Sequence, residues 1–200
     1  EADTAPHPDG SSDPLRDAKM LELELILADL GTVERRLERL EANIKKASKA
    51  EDVAERALFL RLKEALEAET PLREMGMTDE ETHRLRGYAL LSGKPLLLVA
   101  NLGEAEIREA AAFLERSGLA GFARKPGVAL CAVSAPIEAE MADLSPEDAE
   151  AFRQDLGLAE PGLERVIRST YDLLGLISFL TAGEDECRAW TIRRGTRAVV

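Results

Sequence analysis

The chain has 200 residues, enough for one domain or two small ones, and 45% of them are hydrophobic while only 4% are aromatic, so a core must be built mostly from Leu, Ala, Val and Ile. A net charge of −12 excludes nonspecific polyanion binding, which needs clustered cations, but leaves room for a local basic patch. No apolar run approaches the ~18 residues of a membrane span and no signal peptide is evident, so the reading is a cytoplasmic protein without a membrane partner. Cys131 and Cys187 lie far apart in apolar or strand-like contexts and read as reduced, buried thiols.

Residues 1–14 hold three prolines among small polar residues and read as loop. A helix is predicted from Leu15 to Lys46, because Leu23, Ile26, Leu30, Val33, Leu37, Leu40 and Ile44 repeat at alternating spacings of 3 and 4. Such a seam needs a partner. Lys45 to Asp52 suits a hairpin tip, and Val53 to Ala68 is a second helical pattern with Ala57, Leu60 and Ala65 on its apolar side. An antiparallel coiled-coil hairpin within one chain is preferred over a coiled-coil homodimer. Thr78-Asp79-Glu80-Glu81 then has the form of a capping box opening a helix to about Leu91.

The next block changes character. Residues 95–101 (PLLLVAN) and 127–135 (GVALCAVSA) are short apolar runs, as in strands covered on both faces, separated by an amphipathic helix from Glu104 to Ser117. Strand, helix and strand at this spacing form a parallel βαβ unit. Because two strands seldom make a stable sheet alone, this block reads as part of a larger one. Pro136 to Leu144 is helical, Ser145 caps another helix to about Leu156, Leu163 to Leu180 reads as one apolar helix, and the tail from Cys187 has the composition of a strand.

The chemistry centres on Asn101-Leu102-Gly103-Glu104, which follows the first buried strand. An Asn and an acid on such a loop hold a nucleotide base in GTP-binding folds. The guanine version has Lys second and Asp fourth. Here Leu102 replaces the cation and can lie on the base as an apolar lid, while Glu104 is one methylene too long for a strict guanine contact. Ser134-Ala135-Pro136, after the next strand, matches the loop whose backbone approaches the base, with Pro136 removing one donor. The residues by themselves leave the choice open between a base-recognition loop and an ordinary strand-to-helix turn. His7 and His83 lie near no cysteine or acid at metal-ligand spacing, so no metal site is assigned, and no catalytic residue is assigned either. Glu138/Glu140 and Glu147/Asp148 read as solvated helix termini. Arg188, Arg193, Arg194 and Arg197 form a basic cluster suited to RNA, to an acidic partner or simply to a solvated strand edge.

Residues 13–41, 94–101 and 134–196, with the His7-to-Pro14 segment HPDGSSDP, closely resemble the YchF, or Obg-like ATPase, family of translation-factor-class P-loop NTPases. The resemblance implies an α/β fold: a partial Ras-like nucleotide domain interrupted by an antiparallel coiled-coil arm and followed by the start of a TGS-type β-rich module. Residues 1–14 would end the first part of the nucleotide domain, 15–70 form the arm, 71–160 the second part, 161–180 a connecting helix and 181–200 the start of the TGS module. It further implies that Asn101, Leu102, Glu104, Ser134, Ala135 and Pro136 cradle the base, that ATP is preferred over GTP, and that the partner is the ribosome through its RNA or protein. The chain carries no Gly-x-x-x-x-Gly-Lys-Ser/Thr. The resemblance places the phosphate and magnesium motifs before Glu1, so magnesium is expected only in a complete family member and hydrolysis is not expected from these residues alone. The alternative is a non-enzymatic interaction protein that uses the arm and the basic tail, with a vestigial nucleotide site.

Overall fold

A computed structural model describes residues 13–197, so His7 and most of the 7–14 segment lie outside the described residues. The chain divides into two compact units, Leu15–Pro95 with Lys125–Gly127, and Leu96–Arg124 with the residues from Val128 onward.

The first unit is built on α1 (Pro14–Lys46) and α2 (Ala50–Glu67), joined by a tight turn in which the Lys49 amide donates to the Ala47 carbonyl at 2.9 Å. They run antiparallel, since Glu34 pairs with Lys63 at 2.8 Å and Glu41 with Arg56 at 3.2 Å across the hairpin. Ile26, Val33, Leu37 and Leu40 of α1 enter the core as the 3–4 spacing requires, but Leu23 does not and is 38% exposed. On α2 the buried face is Leu58, Phe59, Leu62 and Leu66, and Leu60, assigned to the apolar side from the sequence, is 40% exposed. The stripe runs i, i+4, i+8 from Leu58, with Phe59 beside it. Two faces of this helix carry apolar residues, and contact with α1 selects the bulkier one. Each of these side chains stabilises the fold by about 1.5–3 kcal/mol on burial.

Beyond α2, Thr78 and Glu81 form the predicted capping box, Thr78 Oγ1 accepting from the Glu81 amide and Glu81 Oε2 from the Thr78 amide. The helix it opens, α3 (Asp79–Leu85), stops well short of Leu91. A single 3₁₀ turn (Arg86–Tyr88) follows, and Ala89 turns left-handed at φ 51°. Tertiary partners outbid the helix here. Leu85 and Leu90 both enter the core, and the amides of Leu91 and Ser92 donate to the Asp29 carboxylate of α1, each at 2.7 Å. Asp29 is only 2% exposed and takes a third bond from Ser92 Oγ at 2.7 Å. A second buried carboxylate, Glu22, is held by Arg73 and by Lys125 at 2.6 Å. Near the tip, Arg36 grips Glu55 with both Nε and Nη2, Tyr88 donates to the same carboxylate at 2.6 Å, and its ring stands edge-on to Phe59.

The second unit begins with β1 (Leu96–Asn101), then α4 (Glu104–Ile107), α5 (Ala110–Arg116) and α6 (Leu119–Phe122), and β2 (Val128–Val133). The two strands pair in parallel as predicted, from Leu96 opposite Val128 to Asn101 opposite Val133. The single helix expected from Glu104 to Ser117 is interrupted at Arg108–Glu109, where the Glu109 amide closes a tight bond to the Glu106 carbonyl at 3.1 Å. Next come α7 (Ala135–Ala142), α8 (Pro146–Asp155), capped by Ser145, and α9 (Gly162–Leu173). The predicted apolar helix to Leu180 is corrected. It ends at Leu173, and Leu176–Ala182 forms β3, antiparallel to β4 (Cys187–Arg193). Gly175 supplies the stop, taking φ +63° to close the helix while its carbonyl accepts from the Arg194 amide at 2.7 Å. Cross-strand pairing with β4 then overrides the helical pattern of residues 176–180. The thiols also differ from expectation. Cys131 is buried on β2, whereas Cys187 is exposed at the start of β4. Among the described residues no helix is long and apolar enough to cross a membrane.

Asp29→Ala leaves three donors without their carboxylate and is expected to cost about 3 kcal/mol or more in chemical denaturation. A loss below about 1 kcal/mol would mean that solvent replaces the acceptor. Stability should also fall at both ends of the pH scale. The Arg36 hydrogen bond holds the Glu55 carboxyl below the usual carboxylate range, so its contribution is present above the ordinary Glu value and lost as pH falls through the folded one. Burial, then the bond to Glu55, pushes Tyr88 up to about 12, so its contribution is complete below the free-tyrosine value of ~10 and lost as pH rises through the folded value. Urea midpoints across pH will show both declines, with Arg36→Ala reducing the acid one and Tyr88→Phe the alkaline one.

Candidate nucleotide-base site

The in-register ladder between β1 and β2 carries one bond past the strand ends, the Leu102 amide donating to the Val133 carbonyl at 2.8 Å. That bond sets the two following turns side by side. Asn101, exposed at the tip of β1, accepts through Oδ1 from the Ala135 amide at 2.9 Å, across 34 positions of sequence. Since Oδ1 faces a donor, the amide orientation follows from the hydrogen bond. Nδ2 then points away as a donor that nothing among the described residues takes up.

Leu102 does not reach the loop surface. It is 3% exposed and packs with Ile107, Ala132, Ile137 and Leu156, so the apolar lid expected from the sequence is a core residue instead. Gly103, in extended geometry, donates its amide to Glu106 Oε2 at 3.2 Å. Glu104 opens α4 with its side chain 68% exposed and, among the described residues, is held only by Arg108 at 3.7 Å, which leaves its carboxylate mobile.

Ser134 caps α7 in extended geometry, but its side chain makes no capping bond. It is 2% exposed, and its Oγ has no hydrogen-bond partner among the described residues. A buried hydroxyl without a partner costs about 1–3 kcal/mol, so this atom is an acceptor and donor in want of one. Pro136 is the second residue of α7, where an amide would have no partner in the helix, and its loss costs nothing locally. The structure thus joins Asn101 and Ala135 directly, sets Ser134 beside them, buries Leu102 and leaves Glu104 at the rim. An anchored Asn donor and a mobile carboxylate suit the mixed donor and acceptor edge of a purine, whereas the Ser134 hydroxyl lies beneath the loop surface.

Two contacts at this loop were not expected from the sequence, one made by Glu138 and one by Arg165. Glu138, on the first turns of α7, is not simply solvated, since its Oε1 accepts from the Gly162 amide at 2.7 Å. Arg165 of α9 donates through Nη1 to the Ala132 carbonyl of β2 at 2.7 Å and through Nη2 to the Glu160 carbonyl at 3.3 Å. The available signal was Glu160-Pro161-Gly162, where a glycine opens a helix that has no need of one for flexibility. Among the described residues, no group of three His, Cys, Asp or Glu is arranged to hold a metal.

No protein-family model matches the sequence. Individual relatives do. Over 98% of its length the chain is 38% identical to the ribosome-binding ATPase YchF of Bacillus subtilis, and over 99% it is 38% identical to that of Haemophilus influenzae. Obg-like ATPase 1 of Saccharomyces cerevisiae is 32% identical over 96% of the chain. The chain belongs to the YchF and Obg-like ATPase family. The solved YchF GTPase of Schizosaccharomyces pombe superposes with a TM-score of 0.78 at 27% identity, over 96% of this chain and 52% of its own. The present YchF-family chain spans about half the length of the curated relatives it matches, 53% of the B. subtilis and H. influenzae proteins and 50% of the yeast one.

Asn101→Ala removes the acceptor of the Ala135 amide. Hydrogen–deuterium exchange at Ala135 should accelerate by about tenfold, with the amides of β1 and β2 unaffected. An unchanged Ala135 rate would show that another group protects it.

Proposed function

We propose that this chain supplies the base-recognition part of a nucleotide site in a ribosome-associated YchF-type ATPase. The observation that carries this is the Asn101–Ala135 hydrogen bond, which ties two loops together at the carboxyl ends of adjacent parallel strands, where open α/β folds bind ligands. Asn101 Nδ2 donates to a purine ring nitrogen and Glu104 accepts from an exocyclic amine, while Ser134, its Oγ buried, supports the loop from within the core. ATP is the preferred ligand over GTP. Leu102, committed to the core, offers no cation stem over the base, and the long, mobile Glu104 fits a single amine better than the paired donors of guanine. The relatives' names divide on this point, ATPase for the bacterial proteins and GTPase for the S. pombe structure, which makes base preference the property to measure.

In this reading the α1–α2 hairpin is the coiled-coil arm, β3 and β4 begin a TGS-type module, and the ribosome is the partner, as the bacterial relatives' names say of those proteins. Magnesium and the phosphate contacts that hydrolysis requires belong to motifs other than those described above.

Calorimetric titration of the complete gene product tests the reading. Asn101→Ala should weaken ATP binding by about 1–3 kcal/mol, and Glu104→Asp should raise GTP affinity relative to ATP. An Asn101→Ala protein that binds ATP as tightly as the parent would remove the base-binding role. The 200-residue chain by itself should turn over no ATP above blank.

A further inference from the structure

The loop that carries Ser134 and Ala135 is bolted to α9 on both sides. Before it, the Ala132 carbonyl takes the Arg165 guanidinium at 2.7 Å. After it, Glu138 Oε1 takes the Gly162 amide at 2.7 Å, the first amide of α9 and one that the helix itself leaves without a partner. Gly162 is buried, and a Cβ built there would fall 2.7 Å from Glu138 Oε1 and 3.0 Å from its Cδ. Any other residue would therefore push the carboxylate off the amide. Gly162 has no left-handed backbone angle to explain it, so close approach of the carboxylate is the reason for a glycine at this position.

Resting on the nucleotide-base reading above, we propose that Glu138, admitted by Gly162, is a positioning residue for base recognition. It fixes the first turns of α7 against α9. The Ala135 amide, three residues before it, is thereby held where it aligns Asn101. Glu138 touches no ligand in this role. It acts through the register of residues 134–138, and its contribution appears only in the part of the affinity that the base provides.

The test compares ATP with inorganic tripolyphosphate, which lacks a base, on the complete gene product. Glu138→Ala should weaken ATP binding by about fivefold or more while leaving tripolyphosphate within about twofold. Glu138→Gln, which keeps an oxygen for the Gly162 amide, should recover most of the loss. Gly162→Ala gives an independent arm with the same expected signature, should Glu138→Ala fold poorly. Equal weakening of both ligands would overturn the proposal in favour of a general structural role, as would an unchanged ATP affinity in Glu138→Ala. If Asn101→Ala weakens ATP and Glu138→Ala does not, the base reading stands and this inference alone fails. If the parent protein holds ATP no better than tripolyphosphate, both fall.

Discussion

The second unit depends on the parallel pairing of β1 with β2, and in particular on its continuing one bond beyond Asn101, where the Leu102 amide reaches the Val133 carbonyl. A parallel ladder offers evenly spaced bonds and no hairpin to set its register, so the register is fixed by what the strand faces bury. Here Leu102 and Ala132 both pack against Ile107, Ile137 and Leu156. A slip by one residue would turn Leu102 outward and carry Asn101 away from Ala135. The same packing that stabilises the unit therefore aligns its candidate site, and the apolar residue after Asn101 serves that alignment from within the core.

In the first unit the comparable constraint is the buried Asp29 carboxylate. Three donors converge on it, so the charge is compensated where isolated it would be expensive. Ser92 extends the network, accepting from the Leu72 amide through Oγ at 3.3 Å and from the Arg73 amide through its carbonyl at 3.1 Å. A polar hub of this kind ties the irregular segments after α2 to α1 more specifically than apolar packing could, because misplacing any donor leaves a buried charge unsatisfied. The 3₁₀ turn and the left-handed Ala89 follow from that demand.

Patterns that repeat along the chain were legible. The 3–4 spacing of α1, the capping box at Thr78, the apolar runs of β1 and β2, the helical stretch after Pro136 and the helix opening at Ser145 all depend on neighbours within a few residues. What was misread depends on distant partners. Residues 176–180 have a helical pattern after Leu163, yet β4 claims them. Leu60 and Leu58 compete for the buried face of α2, and only contact with α1 decides between them. Cys187 has strand-like surroundings in sequence, but both faces of its hairpin are largely open.

For the site, the sequence by itself determined which residue types stand at the ends of two apolar strands, and so which chemistry the loops could offer: an amide at Asn101, a hydroxyl at Ser134, an acid at Glu104. Strand-end loops are local, and their composition can be read directly. Only the tertiary structure decided how those groups are spent. It gave the Asn101 oxygen to Ala135, left the Ser134 hydroxyl buried without a partner among the described residues, drew Leu102 into the core and turned Glu138 from a solvent-facing acid into an acceptor for the Gly162 amide. Those assignments join positions 24 to 34 residues apart. No periodicity within one element encodes them, because each is a competition for hydrogen bonds and buried volume that is settled when the strands and helices come together.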